Sequence, residues 1–187
     1  MAHIGVLALQ GDYEKHSRSL ARVGAQTSEV RTAAELEPCD GLVIPGGEST
    51  SMLKLLDREG LFEPLRRFGA RKFIFGTCAG AILLATRVEN PEQPSLGLVD
   101  IAVRRNAYGR QLDSRVASIA GVGFGSMEAV FIRAPIILST GPAVRVLARY
   151  GNDPVLVEDG RHVVSTFHPE LSNDDRVHAY FLKKVTG

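Results

Sequence analysis

The chain has 187 residues, 44% of them hydrophobic, with 19 glycines and 9 prolines, an ordinary globular α/β composition long enough for one domain with a sizeable core. Its net charge of +1, without a basic block, excludes the electrostatic footprint of a nucleic-acid or anionic-membrane partner. Two cysteines, Cys39 and Cys78, in no paired spacing exclude a disulfide scaffold and a zinc site; no metal is expected, and a reducing cytoplasm is the expected location.

Residues 4–10 (IGVLALQ) form a continuous apolar run without a basic lead-in or a cleavage site. The run is too short to span a bilayer and predicts a buried strand rather than a signal peptide. Tyr13, His16, Leu20 and Val23 recur like one face of a helix, with Asp12 placed to cap its start and Gly24 to end it. TSEVR (27–31) and DGLVIPGG (40–47) follow, the second an apolar strand closed by Pro-Gly-Gly. Ser49 stands where it can cap a helix whose apolar side is Met52, Leu53, Leu55 and Leu56. KFIFG (72–76) is a third apolar strand, and AGAILLAT (79–86) predicts a tightly packed, alanine-rich helix. Such alternation predicts a parallel sheet covered on both faces.

From residue 97 the chain changes character. LGLVDIAVR, AVFIR, IIL, VRVLARY, VLVED and HVVSTF are short β-type runs. Asn152-Asp153-Pro154 and Asp159-Gly160 punctuate them, the latter as a hairpin signal. They predict an antiparallel extension of the same sheet. Ser172 with Asp175 three residues on is a capping-box variant, predicting a last helix to about Lys184. The Pro-rich loop at 88–96 is too short to divide domains, so one domain over 1–187 is expected.

Five motifs carry chemistry. In GTCAG, glycines two residues before and two after Cys78 allow a sharp strand-to-helix turn. The side chain is held up at the carboxyl edge of the sheet, with the N–H groups of a helix aimed at it. Taken alone, the pattern favours a buried structural cysteine over a nucleophile. In STFHPEL, Pro169 biases His168 toward an extended backbone, where residues i and i+2 point the same way. Glu170 can then orient one imidazole nitrogen while the other faces a nucleophile, although taken alone the tripeptide better fits a turn with a solvated His and Glu. His3, His16, His162 and His178 lack such a companion and read as structural or solvent-facing. PGGEST (45–50) frees the backbone at Gly46 and Gly47 to form a concave anion site, and equally suits a tight capped turn. RRNAYGRQ (104–111) and FIRAP (131–135) place Arg105 and Arg133 where either could hold a carboxylate, whereas Arg104, Arg110 and Arg115 read as exposed.

A cysteine elbow after the third strand, a Pro-Gly-Gly-Glu-Ser turn and His-Pro-Glu before the last helix together resemble the class I glutamine amidotransferase family. LALQGD, PGGEST, GTCAGAI, RNAYGRQ, VFIRAP and STFHPEL span nearly the whole chain. They are similar to the subfamily of glutaminase subunits that serve pyridoxal 5′-phosphate synthesis. Two departures are ARKFIFG (70–76), where that pattern has Gly-Lys-Pro before the strand, and Thr166, where it often has Ser.

The resemblance implies an α/β, three-layer flavodoxin-like fold with a mixed, mostly parallel central sheet, helices on both faces and an antiparallel extension. It implies a catalytic triad of Cys78, His168 and Glu170 and an oxyanion site from the N–H groups of Gly47 and Ala79. Glutamine contacts would come from Gly47, Glu48, Ser49, Arg105, Ile132 and Arg133, and Gln10 would lie near the oxyanion site as a reporter of partner docking. No cofactor is implied. L-glutamine would be hydrolysed through a Cys78 γ-glutamyl thioester. The ammonia would pass to a separate (β/α)8-barrel synthase subunit in a large complex, since the few residues after Glu170 leave no room for an acceptor domain. The alternatives are an intracellular-peptidase-like or chaperone-like cysteine-elbow protein, which usually has His directly after the Cys where this chain has Ala79, and a catalytically silent assembly subunit.

Overall fold

In the computed structural model, which describes residues 1–106 and 114–187, the apolar runs of the first half become parallel strands. They are β1 (His3–Leu7), β3 (Gly41–Ile44) and β4 (Phe73–Thr77), joined at the sheet edge by the mostly polar β2 (Gln26–Val30). Between them lie α1 (Tyr13–Arg22), α2 (Ala33–Leu36), α3 (Ser49–Arg58) and α4 (Phe62–Gly69). The alternation of side chains along each strand explains why these runs are apolar throughout. Leu42, Ile44, Ile74 and Val164 face one core with Met52 and Leu56 of α3 and Leu65 of α4. Val43, Phe75 and Val163 face the opposite core with Leu20 of α1. A strand covered on both faces has no position at which a polar residue is cheap.

After β4 come α5 (Ala79–Leu84), β5 (Ala85–Glu89), β6 (Val99–Arg104), β7 (Arg115–Gly121), β8 (Gly125–Phe131) and β9 (Ile136–Thr140). The chain ends with β10 (Arg145–Tyr150), β11 (Asp153–Asp159), β12 (His162–Ser165), a 3-10 turn (Pro169–Leu171) and α6 (Arg176–Thr186). The main sheet runs β2-β1-β3-β4-β12-β11-β10-β7-β8. It is parallel from β2 through β12 and antiparallel beyond, so the expected mixed sheet with helices on both faces is present. The β11–β12 hairpin turns at Gly160, which adopts φ +55, as its Asp-Gly signal predicts.

Several boundaries differ from expectation. LGLVDIAVR and IIL do not extend the main sheet: β6 pairs with β5 on one side and β9 on the other in a separate three-stranded sheet. Val88, Val99, Ile101, Val103 and Ile137 of this layer join α5 in the first core, and that burial holds it away from the main ladder. The helix expected over 79–86 stops at Leu84, because Ala85 is extended and pairs with Val99. The last helix starts at Arg176 rather than Ser172. The carboxylate of Asp175 binds Arg22 of α1 at 2.6 and 2.7 Å instead of capping its own helix. Asp12 stands at the N-cap of α1 without a side-chain cap bond, whereas Gly24 adopts φ +95 just beyond the helix as expected. The short helices α2 and α4 have no counterpart among the predicted elements; Pro64, which lies in the first turn of α4 where proline is tolerated, masks that one.

Candidate active site

The carboxyl ends of β3, β4 and β12, three adjacent parallel strands, deliver PGGEST, GTCAG and STFHPEL to one place. Ile44 pairs with Gly76 and Thr77 with Ser165, so the three turns begin level with one another. This is the edge at which ligands bind open α/β sheets.

The cysteine turn is made by its glycines. A Cβ on Gly76 would lie 2.6 Å from the Gly80 carbonyl oxygen, and one on Gly80 would overlap the carbonyl oxygen of Ile44. Only bare backbone lets α5 start this close to β4 and β3. Between them Cys78 sits at φ +50, a strained conformation for a side-chain-bearing residue, with its N–H anchored to Ser165 O at 2.9 Å. Its Sγ lies 3.7 Å from the carbonyl oxygen of Ile132, in the segment following β8. Ala79, buried, is the first residue of α5, where an N–H has no intrahelical partner.

His168 is fixed at its backbone by a bond from its N–H to Val130 O at 2.8 Å. Its Nδ1 lies 2.7 Å from Glu170 Oε1. The expected companionship therefore holds, by a different route. Glu170 follows His168 through a 3-10 turn rather than along an extended strand. Burial opposes protonation of His168, but its hydrogen bonds to Cys78 and Glu170 and the charges of both outweigh it, raising its pKa to about 10. Burial likewise opposes ionisation of Glu170, yet His16 and His168 hold its carboxyl below the usual range. The imidazole is thus held cationic beside a sulfur, the environment a thiolate nucleophile needs.

These groups meet at a cavity of about 410 Å³, within the range of small-molecule sites. Cys78 and His168 line it, as do Gly47, Glu48, Ser49, Arg105, Ile132 and Arg133; Glu170 lies behind His168. Cys78, Asn106 and Arg133, three of the four non-glycine residues with positive φ among those described, lie on its wall. The rest of the RRNAYGRQ motif, residues 107–111, lies outside the described residues.

One expectation about the PGGEST turn is corrected. The cap of α3 is Glu48, not Ser49: its carboxylate accepts from Thr50 N at 3.0 Å and Ser51 N at 2.7 Å. Partial desolvation opposes ionisation of Glu48, but bonds from Ser51 and Thr50 lower its pKa to about 2. Those two helical N–H groups are therefore occupied from within. Ser49 instead donates to Gln93 Oε1 at 3.2 Å. Arg105, nearly buried, bonds Glu48 Oε1 at 3.2 Å and Thr50 Oγ1 at 2.9 Å. Gln10 reaches over from the end of β1, donating to Glu48 O at 2.7 Å, and a Cβ on Gly47 would lie 2.8 Å from its Nε2.

The sequence profile of the SNO glutamine amidotransferase family matches residues 6–187. The chain belongs to the SNO glutamine amidotransferase family. Within it, the chain is 55% identical to the pyridoxal 5′-phosphate synthase subunit PdxT of Solibacter usitatus, over 99% of this chain and all of that one. It is also 55% identical to the PdxT subunit of Koribacter versatilis, over 97% of this chain and 95% of the other. A crystal structure of a glutamine amidotransferase superposes with a TM-score of 0.93 at 45% identity, covering 98% and 99% of the two chains. A glutamine amidotransferase from Thermotoga maritima superposes at 0.63 with 13% identity, covering 99% and 96%, and shows the fold alone. Peptidase-like and chaperone-like readings find no support in these likenesses.

Some residues of the cavity wall escape a reading of the sequence. Asp12, Asn106 and Pro135 also line the cavity. Of the four histidines set aside, His3 bonds Ser28 at 2.7 Å and His162 accepts from Ile74 N at 3.2 Å. His16 and His178 are fully buried, and His16 Nε2 lies 3.3 Å from Glu170 Oε2. Only helical periodicity marked His16, and that signals burial rather than a site. Among the described residues no group of three or more His, Cys, Asp or Glu is arranged to hold a metal ion, and no helix is long and apolar enough to cross a membrane.

Proposed function

We propose that the chain is one glutaminase domain in which Cys78, His168 and Glu170 hydrolyse L-glutamine to L-glutamate and ammonia. The observation that carries this reading is Cys78 on its strained elbow, lining a cavity with a His168 whose Nδ1 is bonded to Glu170 at 2.7 Å. The Cys78 sulfur attacks the γ-amide carbon, and N–H groups of Gly47 and Ala79 receive the developing oxyanion. His168 gives its proton to the departing nitrogen, so ammonia leaves and a γ-glutamyl thioester remains. His168, now neutral, takes a proton from water, whose oxygen displaces the sulfur. Glutamate forms, and the thiolate and imidazolium are restored. Glu170 keeps Nδ1 of the imidazole oriented throughout.

Glutamine brings an α-ammonium and an α-carboxylate, and the cavity wall offers the complements: Glu48 for the first, Arg105 and Arg133 for the second. Ser49 and the Ile132 backbone border the same space.

The ammonia serves vitamin B6 synthesis, as the names of the PdxT relatives support. The receiving subunit is a (β/α)8-barrel synthase in a large heteromeric complex, located in the cytoplasm. A catalytically silent subunit would have no use for the intact 2.7 Å His168–Glu170 bond beside a lined cavity.

The test is ammonia release from glutamine with the synthase present. Cys78→Ala should lower the rate by on the order of 10³-fold or more, and a glutamine-analogue electrophile should label Cys78 alone. Undiminished ammonia release by Cys78→Ala would remove the assignment.

A further inference from the structure

Behind the proposed triad, on the side away from the cavity, α1 and α6 bury two imidazoles that the reaction does not touch. His16 and His178 are fully inaccessible, as is the side chain of Glu170. His16 Nδ1 lies 2.9 Å from His178 Nε2. On its other side His16 Nε2 lies 3.3 Å from both Glu170 Oε2 and Thr77 Oγ1, the residue before Cys78. The ring of Phe75 closes the pocket edge-on, with centroids 6.4 Å from His16 and 5.8 Å from His178.

Hydrogen positions follow from valence. Glu170 is ionised and offers only acceptors; Oε1 takes His168, and Oε2 has no aligned hydrogen bond. A buried carboxylate oxygen without a donor is costly, and an N–H on His16 Nε2, 3.3 Å away, can reach it, with Thr77 Oγ1 at the same distance as a second partner of that nitrogen. If that nitrogen carries the hydrogen, Nδ1 of a neutral His16 is a bare acceptor. His178 must then donate from Nε2, leaving its own Nδ1 bare. The atom so left over, His178 Nδ1, is the one found buried without a partner.

We propose that His16, with its tautomer set by His178, is a positioning residue that holds Glu170 Oε2 and so keeps Oε1 on His168 Nδ1. The proposal rests on the triad reading and extends it by one layer. A carboxylate tethered at one oxygen only can rotate about its last bond; tethered at both, it presents a fixed acceptor to the base.

The relay works as a neutral dipole. Burial lowers the pKa of His16 despite the attraction of Glu170, with cationic His168 lowering it further and Asp12 of α1 raising it. Burial lowers His178 to about 3, with His16 and Arg22 in the same sense and Glu170 and Asp175 opposing. A cationic His16 would compete with His168 for the same carboxylate. A neutral one orients the carboxylate without drawing off its charge.

Two-bond proton–nitrogen NMR of the full-length chain at neutral pH should find both His16 and His178 hydrogenated on Nε2. Hydrogen on Nδ1 of either ring overturns the scheme, and this needs no variant. In His16→Leu, the midpoint at which His168 loses its proton should fall by about one pH unit. With the synthase present, its kcat for glutamine should fall by about 10–100-fold with KM little changed. His16→Gln, whose amide nitrogen can reach Glu170 as Nε2 does, should recover most of both losses. A folded His16→Leu with the wild-type His168 midpoint and kcat, or a His16→Gln no better than His16→Leu, refutes the proposal. The Cys78→Ala assay judges the triad separately, because tautomers and midpoints are read without turnover.

Discussion

Gly46 has no room for a side chain, and what a side chain would strike first is the ring of His168 rather than backbone. An added Cβ would lie 2.5 Å from His168 Cε1 and 3.4 Å from the Cβ of Cys78, between the proposed base and the proposed nucleophile. Gly80 is different: its added Cβ would strike backbone, the Ile44 carbonyl, so it answers for the packing of α5. Gly46→Ala should therefore leave the fold standing, at an overpacking cost of about 1–3 kcal/mol. It should also lower kcat for glutamine by on the order of 10²-fold, through a displacement of His168 near 1 Å. Thermal unfolding and ammonia release, measured on one preparation, separate the two effects; a wild-type kcat would show that His168 tolerates the shift. Gly76, Cys78 and Gly80 announce a turn by their spacing. Gly46 does not announce its contact with His168, which is 122 positions along the chain and meets it only through strand order.

At the scale of elements, α3 shows how a cap and a site can share one residue. Glu48 spends its carboxylate on Thr50 and Ser51 N–H and on Arg105, so it anchors the helix and holds a guanidinium at the cavity wall together. Glu48→Ala should cost about 0.5–2 kcal/mol at neutral pH as the cap is lost. The folded-state pKa of Glu48 lies below its ordinary value, so its contribution is present above about pH 4.5 and disappears as pH falls toward about 2. More than half of the side chain is exposed, so the pH-dependent part is screened and small. Urea midpoints should then differ between wild type and Glu48→Ala at pH 7 and converge near pH 2; a gap as wide at pH 2 as at pH 7 would mean that the cap is not ionic. The β-type runs are legible because strands buried on both faces must be apolar throughout. The cap is less so: Glu48 and Ser49 are adjacent, both can cap, and backbone dihedrals alone decide between them.

For the whole molecule, the relevant feature is how distant segments share the Gly47 side of the cavity. Gln10, from the end of β1, holds the Glu48 carbonyl and packs on Gly47. A partner subunit seated against that end of the sheet would press on the turn proposed to supply one oxyanion donor. Ammonia release by the chain alone should accordingly be slow and should accelerate when the synthase is added. Equal rates with and without it would remove the idea that docking completes the site.

By itself the sequence determined what acts over a few residues: apolar strands, the bare turns of GTCAG and PGGEST, a histidine with its carboxylate two positions on. Those patterns are enough for a mixed α/β sheet, for the family resemblance and for the three residues of the candidate triad. Tertiary structure decided which turns share an edge, that β5, β6 and β9 leave the main sheet, and that Asp175 binds Arg22 instead of capping α6. It also decided that His16 stands behind Glu170, joined to a histidine 162 positions away. The physical reason is one of range. Periodicity and turn chemistry are properties of neighbours in the chain. Contact across a sheet depends on strand order, which arises only when both faces of that sheet are buried at once.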